Sequence, residues 1–214
     1  MNDKPILLEL FCGTKCISNA FKEMGWQVFT VDWESSFSPD LCADIGSLTK
    51  EDIIKLCGRT PDVIWASPDC TTYSIAAISH HRTKEASGNL APKSEYAKFC
   101  DSVNKNVLKL IEELKPKYYF IENPRGGFRK MDFIQGYKRY TVTYCQYGDI
   151  RMKPTDIFTN HPNPQFKPPC KNGAPCHQAA PRGSKTGTQG LKGKKIRSMI
   201  PAELCKHIAA ICTA

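Results

Sequence analysis

Short apolar runs alternate with amphipathic segments along the first 160 residues. Buried strands are predicted at 6–10, 26–33, 62–66 and 117–123, and two later strands at 140–148 and 155–160. Helical spacing of apolar residues predicts helices at 16–25, 49–57, 94–114 and 201–214. Strands that alternate with helices indicate an α/β fold with a doubly wound, mostly parallel sheet covered on both faces. Ligands bind outside the carboxyl ends of such strands.

The periodic pattern stops after residue 160. Residues 161–197 are dense in proline, glycine and lysine and carry no convincing period, which indicates irregular structure. We therefore expect three parts: a catalytic, cofactor-binding domain at 1–160, a basic segment at 161–197, and a C-terminal helix at 198–214 that packs back on the first part.

The net charge of +9 is concentrated in one place. Between Arg151 and Arg197, ten lysines and arginines face one acid, Asp156, so the rest of the chain is neutral overall. A basic segment on a neutral body suggests a polyanionic partner such as nucleic acid. A solvated, partly disordered tail is the alternative.

Eleven cysteines are scattered without the spacing of a disulfide scaffold. The N-terminus shows no secretion signal and no long apolar segment, so we expect a cytoplasmic protein with reduced thiols and no membrane contact. Cys170, Cys176 and His177 could begin a zinc site, but the sequence shows no fourth ligand, and ordinary reduced cysteines are the favoured interpretation.

Two chemically capable side chains follow predicted strands. Cys70, in "SPDCTTYS", lies in a loop where a partly exposed thiol can act as a nucleophile; a structural thiol is the alternative. Glu122, in "IENP", emerges from an apolar strand, where an unpaired acid is costly. A functional role is favoured over a fortuitous surface acid.

Six segments in this order resemble motifs of the DNA (cytosine-5)-methyltransferases. They are "LELFCG", "VDW", "ADI", "SPDCTTYS", "IENP" and "YGDIRMK". The resemblance implies a class I S-adenosylmethionine-dependent methyltransferase fold, which is Rossmann-like. It also implies S-adenosylmethionine as cofactor, double-stranded DNA as partner, and methylation of cytosine carbon 5 through a covalent cysteine adduct with a flipped base.

The resemblance assigns catalytic roles to five residues. Cys70 would attack carbon 6 of the base, and Glu122 would protonate ring nitrogen 3. Asn123 would hold the loop, while Arg151 and Lys153 would contact the base or the region of the thiol.

A second group would bind the cofactor. Asp32 would take the ribose hydroxyls, Trp33 would stack on adenine, and Asp44 would lie near the adenine amino group. For Trp33, simple core packing is the alternative. Phe11 and Gly13 would line the methionine end. The remaining expected cofactor contacts are Thr14, Lys15, Ile45, Pro68 and Ser198.

Two positions depart from the family pattern. Lys15 stands where the family usually has a second glycine, so we expect a turn that a side chain tolerates, and we hypothesise that Lys15 pairs with the methionine carboxylate. Asp69 replaces the proline before the nucleophile. A neighbouring carboxylate disfavours a thiolate, so the pKa of Cys70 should not be strongly depressed unless Arg151 or Lys153 compensates.

The recognition region expected between the last motifs is short. Its basic residues can neutralise phosphates, and "RGSKTGTQG" is either a base-contacting loop or a linker. Either the target site is very short or an unknown partner supplies specificity. His80 and His81 would meet phosphates or, as the favoured alternative, be solvated.

Small size suits a monomeric enzyme of a phage or mobile element. An RNA (tRNA) cytosine methyltransferase and a non-catalytic nucleic-acid-binding relative are the rival functions. A nicotinamide-dependent oxidoreductase is disfavoured because G-x-G-x-x-G does not follow the first strand.

Overall fold

A computed structural model describes residues 4–86, 88–179 and 193–213. The strands are β1 (Ile6–Leu10), β2 (Gln27–Asp32), β3 (Leu41–Cys42), β4 (Val63–Ala66), β5 (Arg82–Lys84), β6 (Leu90–Pro92), β7 (Tyr118–Pro124), β8 (Arg139–Thr143) and β9 (Pro154–Thr159). The α-helices are α1 (Cys16–Glu23), α2 (Lys50–Cys57), α3 (Ile78–His81), α4 (Glu95–Leu114), α5 (Lys194–Ser198) and α6 (Ala202–Thr213).

Seven strands form the main sheet, in the order β3-β2-β1-β4-β7-β9-β8. The first five run parallel, while β9 lies antiparallel to both β7 and β8. The strand order reverses direction between β1 and β4, so the ends of these strands flank a crevice. The predicted doubly wound, mostly parallel α/β sheet is confirmed.

Alternating side chains of β1 enter two separate cores. Ile6, Leu8 and Leu10 pack with residues of α2 and α4 on one face of the sheet. Leu7 packs with residues of α1 and α6 on the other face. Burial on both faces explains why the parallel strands are continuous apolar runs in the sequence.

Local signals fix the helix ends that the sequence predicts. Thr49 and Asp52 form a reciprocal capping box at the start of α2, and Gly58 ends that helix with φ 78°. Ser94 caps α4 by accepting a hydrogen bond from the backbone N–H of Ala97. These contacts stabilise the helices that cover one face of the sheet.

The C-terminal helix α6 packs on the catalytic body. Leu204, Ile208 and Cys212 are buried in the same core as α1. The indole Nε1 of Trp26 donates a 3.0 Å hydrogen bond to Thr213 Oγ1. The last helix therefore completes one face of the sheet.

Two segments differ from the sequence prediction. The strand expected at 140–148 ends at Thr143 and continues as a 3-10 helix, Tyr144–Tyr147, which Gly148 terminates at φ 85°. The antiparallel hairpin of β5 and β6 lies in a polar loop and gave no alternating apolar signal. Among the residues that the structure describes, no helix has the length and apolar character needed to cross a bilayer.

Candidate active site

The loop that follows β4 carries Cys70. Ala66 of β4 pairs with Ile121 of β7, so the residues beyond these two positions emerge at the same edge of the sheet. Cys70 and Glu122 come from these neighbouring strand ends, as the sequence predicted. Cys70 is half-buried and free of any disulfide.

The environment of Cys70 favours the thiol over the thiolate. Burial, together with the carboxylates of Asp69 and Glu122, raises its pKa to about 11, although Lys153 lowers it in part. The predicted absence of an acidic thiol is confirmed. A nucleophile at position 70 therefore needs its proton removed during the reaction.

Glu122 is buried, with 6% of its surface exposed. Burial raises the pKa of its carboxyl, although Lys153 and hydrogen bonds from Tyr144 and Ser67 lower it in part. The hydroxyl of Tyr144 donates a 2.9 Å hydrogen bond to Oε1. A carboxyl with a raised pKa keeps a proton to higher pH, which suits a general acid.

Lys153 and Arg151 are placed differently from each other. Lys153 Nζ lies 4.5 Å from the centre of the Tyr144 ring and interacts with both Glu122 and Cys70. Burial lowers its pKa. Arg151 is buried and paired with Asp149, its Nε lying 3.0 Å from each carboxylate oxygen. The expected compensation at the thiol therefore comes from Lys153, and the alternative assignment to Arg151 is wrong in this structure.

Asn123 connects the two strand ends. Its Nδ2 donates a 3.1 Å hydrogen bond to the carbonyl of Pro68, two residues before the thiol. The contact matches the loop-holding role expected of Asn123, and it places Pro68 as a buried anchor of the loop rather than an open surface. Asn123 Oδ1 is buried and has no hydrogen-bond partner in the part of the chain that the structure describes.

A buried network that the sequence did not reveal anchors the same loop. Arg82 donates to the carbonyl and to the hydroxyl of Thr72 and forms an ion pair with Asp101 at 2.7 Å. Tyr73 donates to the same carboxylate, and its carbonyl accepts from the backbone N–H of Gly127. Thr72 is fully buried, so its hydroxyl belongs to this anchor of the loop and not to the open surface.

The loop between β1 and α1 has an unusual backbone. Phe11, Gly13 and Lys15 have φ values of 58°, 43° and 57°, a region that side chains rarely adopt. Lys15 thus takes the left-handed backbone conformation itself, with φ 57° and ψ 31°, and the turn forms with its side chain in place. Such backbone strain is typical of ligand-binding loops.

Asp32 holds this loop in place. Its Oδ2 accepts a 3.0 Å hydrogen bond from the N–H of Gly13, and its Oδ1 accepts one from the N–H of Glu34. Each carboxylate oxygen keeps a further lone pair for a ligand. Trp33, the next residue, is 68% exposed, so the alternative of core packing is wrong.

The remaining expected cofactor residues lie in two places. Thr14 and Lys15 belong to the loop between β1 and α1, and Asp44 and Ile45 follow β3. Asp44 is exposed and accepts from the N–H of Gly46, while Ile45 is buried in the core. Thr14 Oγ1 lies 3.0 Å from the sulfur of Cys16. Lys15 Nζ donates to the carbonyl of Ser38.

Helix α5 lies between the two halves of the candidate site. The carbonyl of Arg197 accepts hydrogen bonds from Arg151 and, at 3.1 Å, from Lys153 Nζ. Lys195 Nζ lies 6.0 Å from the ring of Phe37, just beyond Trp33 in the chain. Ser198 is exposed, and its hydroxyl donates to the carbonyl of Lys195 rather than pointing to a described cofactor residue.

Three other predicted features have different outcomes. His80 is exposed, and His81 is partly buried with Nδ1 2.9 Å from Ser94 Oγ, in line with the favoured non-functional interpretation for His80. The segment "RGSKTGTQG" lies outside the described residues.

Cys170, Cys176 and His177 lie together, and the structure brings a fourth candidate ligand, Cys145, to them. The fourth ligand that was not evident in the sequence is therefore available in the structure.

No protein-family model matches the sequence. Over 225 aligned residues, the chain is 27% identical to a probable DNA (cytosine-5)-methyltransferase of Frog virus 3 (isolate Goorha); the match covers 96% of this chain and 99% of that protein. Among solved structures, a DNMT2 mutant from Spodoptera frugiperda is similar, with a TM-score of 0.49 and 18% identity over 73% of this chain. EhMeth from Entamoeba histolytica has a TM-score of 0.49 and 17% identity over 83%. The match covers 49% and 57% of these two longer chains.

Proposed function

We propose that this chain, whose predicted resemblance to the DNA (cytosine-5)-methyltransferases is confirmed along 96% of its length, methylates carbon 5 of cytosine in double-stranded DNA. The observation that carries the proposal is that Cys70 and Glu122 lie at the ends of neighbouring strands, where their charges interact. Both groups have raised pKa values, and Lys153 interacts with both.

The arrangement fits nucleophilic catalysis on a pyrimidine ring. Carbon 5 of cytosine is a poor nucleophile, and addition of a sulfur at carbon 6 makes it electron-rich. Cys70 forms that bond as a thiolate, after its thiol proton has passed to solvent. The positive charge of Lys153 favours the thiolate, and it offsets part of the cost that burial imposes.

Glu122 supplies the proton that balances the attack. As the sulfur bonds to carbon 6, negative charge develops on the ring, and a protonated Glu122 donates to nitrogen 3. Tyr144 positions the carboxyl through Oε1, which leaves the other oxygen for the base. After methyl transfer, the carbon 5 proton passes to solvent, Cys70 leaves carbon 6 as a thiolate, and the nitrogen 3 proton returns to Glu122. A proton from solvent then restores the thiol of Cys70.

The loop and strand ends around Asp32 fit S-adenosylmethionine. Trp33 offers an exposed aromatic face for adenine, and Asp32 and Asp44 offer carboxylate oxygens for hydroxyl and amino groups. Gly13, at φ 43°, has a left-handed backbone conformation that glycine adopts readily, and its N–H donates to Asp32. When bound, this cofactor supplies an electrophilic methyl group on a sulfonium. Lys15 lies in the same loop. Its ammonium, which donates a hydrogen bond to the Ser38 carbonyl, can instead pair with the methionine carboxylate of the cofactor.

Contact with nucleic acid falls to the basic segment 161–197. Its lysines and arginines can neutralise phosphates, which gives affinity without sequence information. The hydrogen bonds of Arg151 and Lys153 to the Arg197 carbonyl connect the end of this segment to the catalytic residues. Carbon 6 of a stacked base is inaccessible, so the cytosine must be flipped out of the duplex. DNA is favoured over RNA because the relative that covers the whole chain bears a DNA methyltransferase name.

Bisulfite sequencing tests the activity directly. Plasmid from cells that express the wild type should carry protected cytosines, and plasmid from cells that express Cys70→Ala should not. A parallel assay with purified protein compares labelled methyl transfer to duplex DNA and to tRNA. Transfer to tRNA alone would overturn the DNA assignment, and transfer to neither would overturn the proposed activity.

A further inference from the structure

Four potential metal ligands meet beside the end of β8. The Sγ atoms of Cys145, Cys170 and Cys176 and a ring nitrogen of His177 all lie within 4.8 Å of one another. None of the three cysteines is in a disulfide. Cys145 comes from the 3-10 helix after β8, and the other three come from the irregular segment that follows β9.

Two of the distances between ligand atoms match an edge of a zinc tetrahedron. With Zn–S near 2.3 Å and Zn–N near 2.05 Å, tetrahedral geometry places a sulfur and a nitrogen about 3.6 Å apart. Nδ1 of His177 lies 3.4 Å from Cys170 Sγ and 3.7 Å from Cys176 Sγ. Both distances lie close to that edge, so one ion fits between the ligands with only small movements.

The ligand set identifies the metal by its chemistry. Three thiolates and one imidazole are soft and borderline ligands, which favour zinc over magnesium or calcium. A fourth protein ligand closes the coordination sphere, which is typical of a structural site and leaves no position for a reacting water.

Neighbouring groups support the same arrangement. Gln146 Nε2 lies 3.5 Å from Cys176 Sγ, the position of a donor to a metal-bound thiolate. Thr143 Oγ1 accepts from the N–H of Cys170, which fixes one ligand against the end of β8. Nδ1 of His177 faces the sulfurs, and its Nε2 is buried without a partner in the described part of the chain.

We propose that Cys145, Cys170, Cys176 and His177 form a structural zinc site that fastens the segment after β9 to the catalytic body. The segment needs such a fastening because residues 161–179 contribute few buried apolar side chains; Phe166, in contact with Tyr140, is only partly buried. A metal that binds only the folded arrangement adds its binding free energy to folding.

A backbone hydrogen bond also connects the segment that carries the proposed zinc ligands to the loop before Arg151. The N–H of Gln178 donates a 2.9 Å hydrogen bond to the carbonyl of Ile150, between Asp149 and Arg151. Cys145 lies four residues before Asp149 in the same turn region. Zinc therefore fixes the loop that orients Arg151 as well as the start of the basic segment, independently of which nucleic acid the enzyme methylates.

Metal analysis of the purified full-length protein tests the proposal. Protein produced in zinc-supplemented medium and purified without chelator should contain about one zinc per chain by inductively coupled plasma mass spectrometry. Cys170→Ser should lose most of the zinc, whereas Cys42→Ser, which removes an exposed cysteine outside the cluster, should retain it.

X-ray absorption spectroscopy of the wild type keeps the test independent of variant folding. The zinc edge should show about three sulfur ligands and one nitrogen ligand. Absence of zinc both after purification and after addition of zinc chloride would overturn the proposal, as would an oxygen-dominated shell or equal zinc in Cys170→Ser. A disulfide among Cys145, Cys170 and Cys176 in protein kept under reducing conditions would also overturn it.

Discussion

Tyr144 donates a 2.9 Å hydrogen bond to Oε1 of Glu122 in the interior of the protein. Both side chains are buried, and Lys153 lies against the face of the same tyrosine ring. This three-residue arrangement sets the protonation of the acid, because Tyr144 and Lys153 favour its carboxylate while burial favours its neutral form.

Tyr144→Phe should move the pH dependence of methyl transfer to higher pH. The hydrogen bond lowers the pKa of Glu122, so its loss raises that pKa further and keeps the acid protonated over a wider range. Since the proposed mechanism uses Glu122 in its protonated form, the descending limb of the kcat profile should shift to higher pH. Tyr140→Phe, a matched change on β8 with no contact to Glu122, should leave the profile in place. An unshifted descending limb in Tyr144→Phe would contradict this positioning role.

Asp69→Asn should make Cys70 a stronger thiol acid. After burial, the Asp69 carboxylate is the largest cause of the raised pKa, which is about 11. Asparagine keeps an oxygen for the N–H of Thr71, so the loop should survive the change. The rate of Cys70 alkylation by iodoacetamide, followed by peptide mass spectrometry against pH, should reach half its maximum at a lower pH than in the wild type. Exposed Cys42 in the same samples is the internal reference, and equal midpoints for Cys70 in the two proteins would refute the expectation.

Trp33→Ala should weaken cofactor binding without changing stability. The side chain is 68% exposed, so its loss removes little packing. Stacking of a base on an aromatic ring contributes about 1–3 kcal/mol, which corresponds to roughly a five- to hundredfold increase in Kd for S-adenosylmethionine. Isothermal titration calorimetry measures this change, and Trp33→Phe should restore most of the affinity. Unaltered affinity in Trp33→Ala would show that the ring does not contact the cofactor.

Glu9 should make the fold less stable as pH rises. Burial raises the pKa of this carboxyl from 4.5 to about 7, although Ser18 donates two hydrogen bonds to it. The folded state therefore prefers the protonated acid, so its contribution is complete below pH 4.5 and is lost as the pH rises through 7. At pH 8, Glu9→Gln should be more stable than the wild type by a few kcal/mol, since each pKa unit corresponds to about 1.4 kcal/mol.

Urea unfolding at pH 5 and pH 8 measures this pH dependence. The wild type should lose stability between the two values, and Glu9→Gln should lose less. Glu51→Gln, an exposed change on α2, should follow the wild type at both values. A wild-type stability that rises from pH 5 to pH 8 by the same amount in all three proteins would exclude the assignment to Glu9.

The meeting of Cys70 and Glu122 was predictable from the sequence. Each residue follows an apolar run, and the carboxyl ends of parallel strands share one edge of the sheet. The helix caps at Thr49 and Ser94 were predictable for a similar reason, because capping depends on residues close together in the chain. Local pattern was sufficient wherever neighbours in the sequence determine the contact.

Other parts of the site depend on contacts that no local pattern contains. Arg151 forms an ion pair with Asp149, two residues before it in the chain, so its charge is paired within the same turn. The sequence predicts that Tyr144 lies in a strand. Its contact with Glu122 instead requires the 3-10 helix that forms in place of the end of that strand. Cys145 lies far from Cys170 in the chain, so spacing alone could not join it to the other three ligands. Lys15 shows that a lysine can take a glycine-like backbone conformation when Asp32 and Gly13 hold the loop.

The central claim is a transient bond between the sulfur of Cys70 and carbon 6 of cytosine. Duplex DNA that contains 5-fluorocytosine tests it most directly. Its carbon 5 carries fluorine in place of the proton that must be removed before the cysteine can leave, so the adduct persists. With S-adenosylmethionine present, the wild type should form a denaturation-resistant complex with this DNA, and mass spectrometry should locate the link at Cys70. Cys70→Ser should form none, whereas Cys42→Ser should react like the wild type. Failure of the wild type to be trapped, or a link at another residue, would contradict the claim.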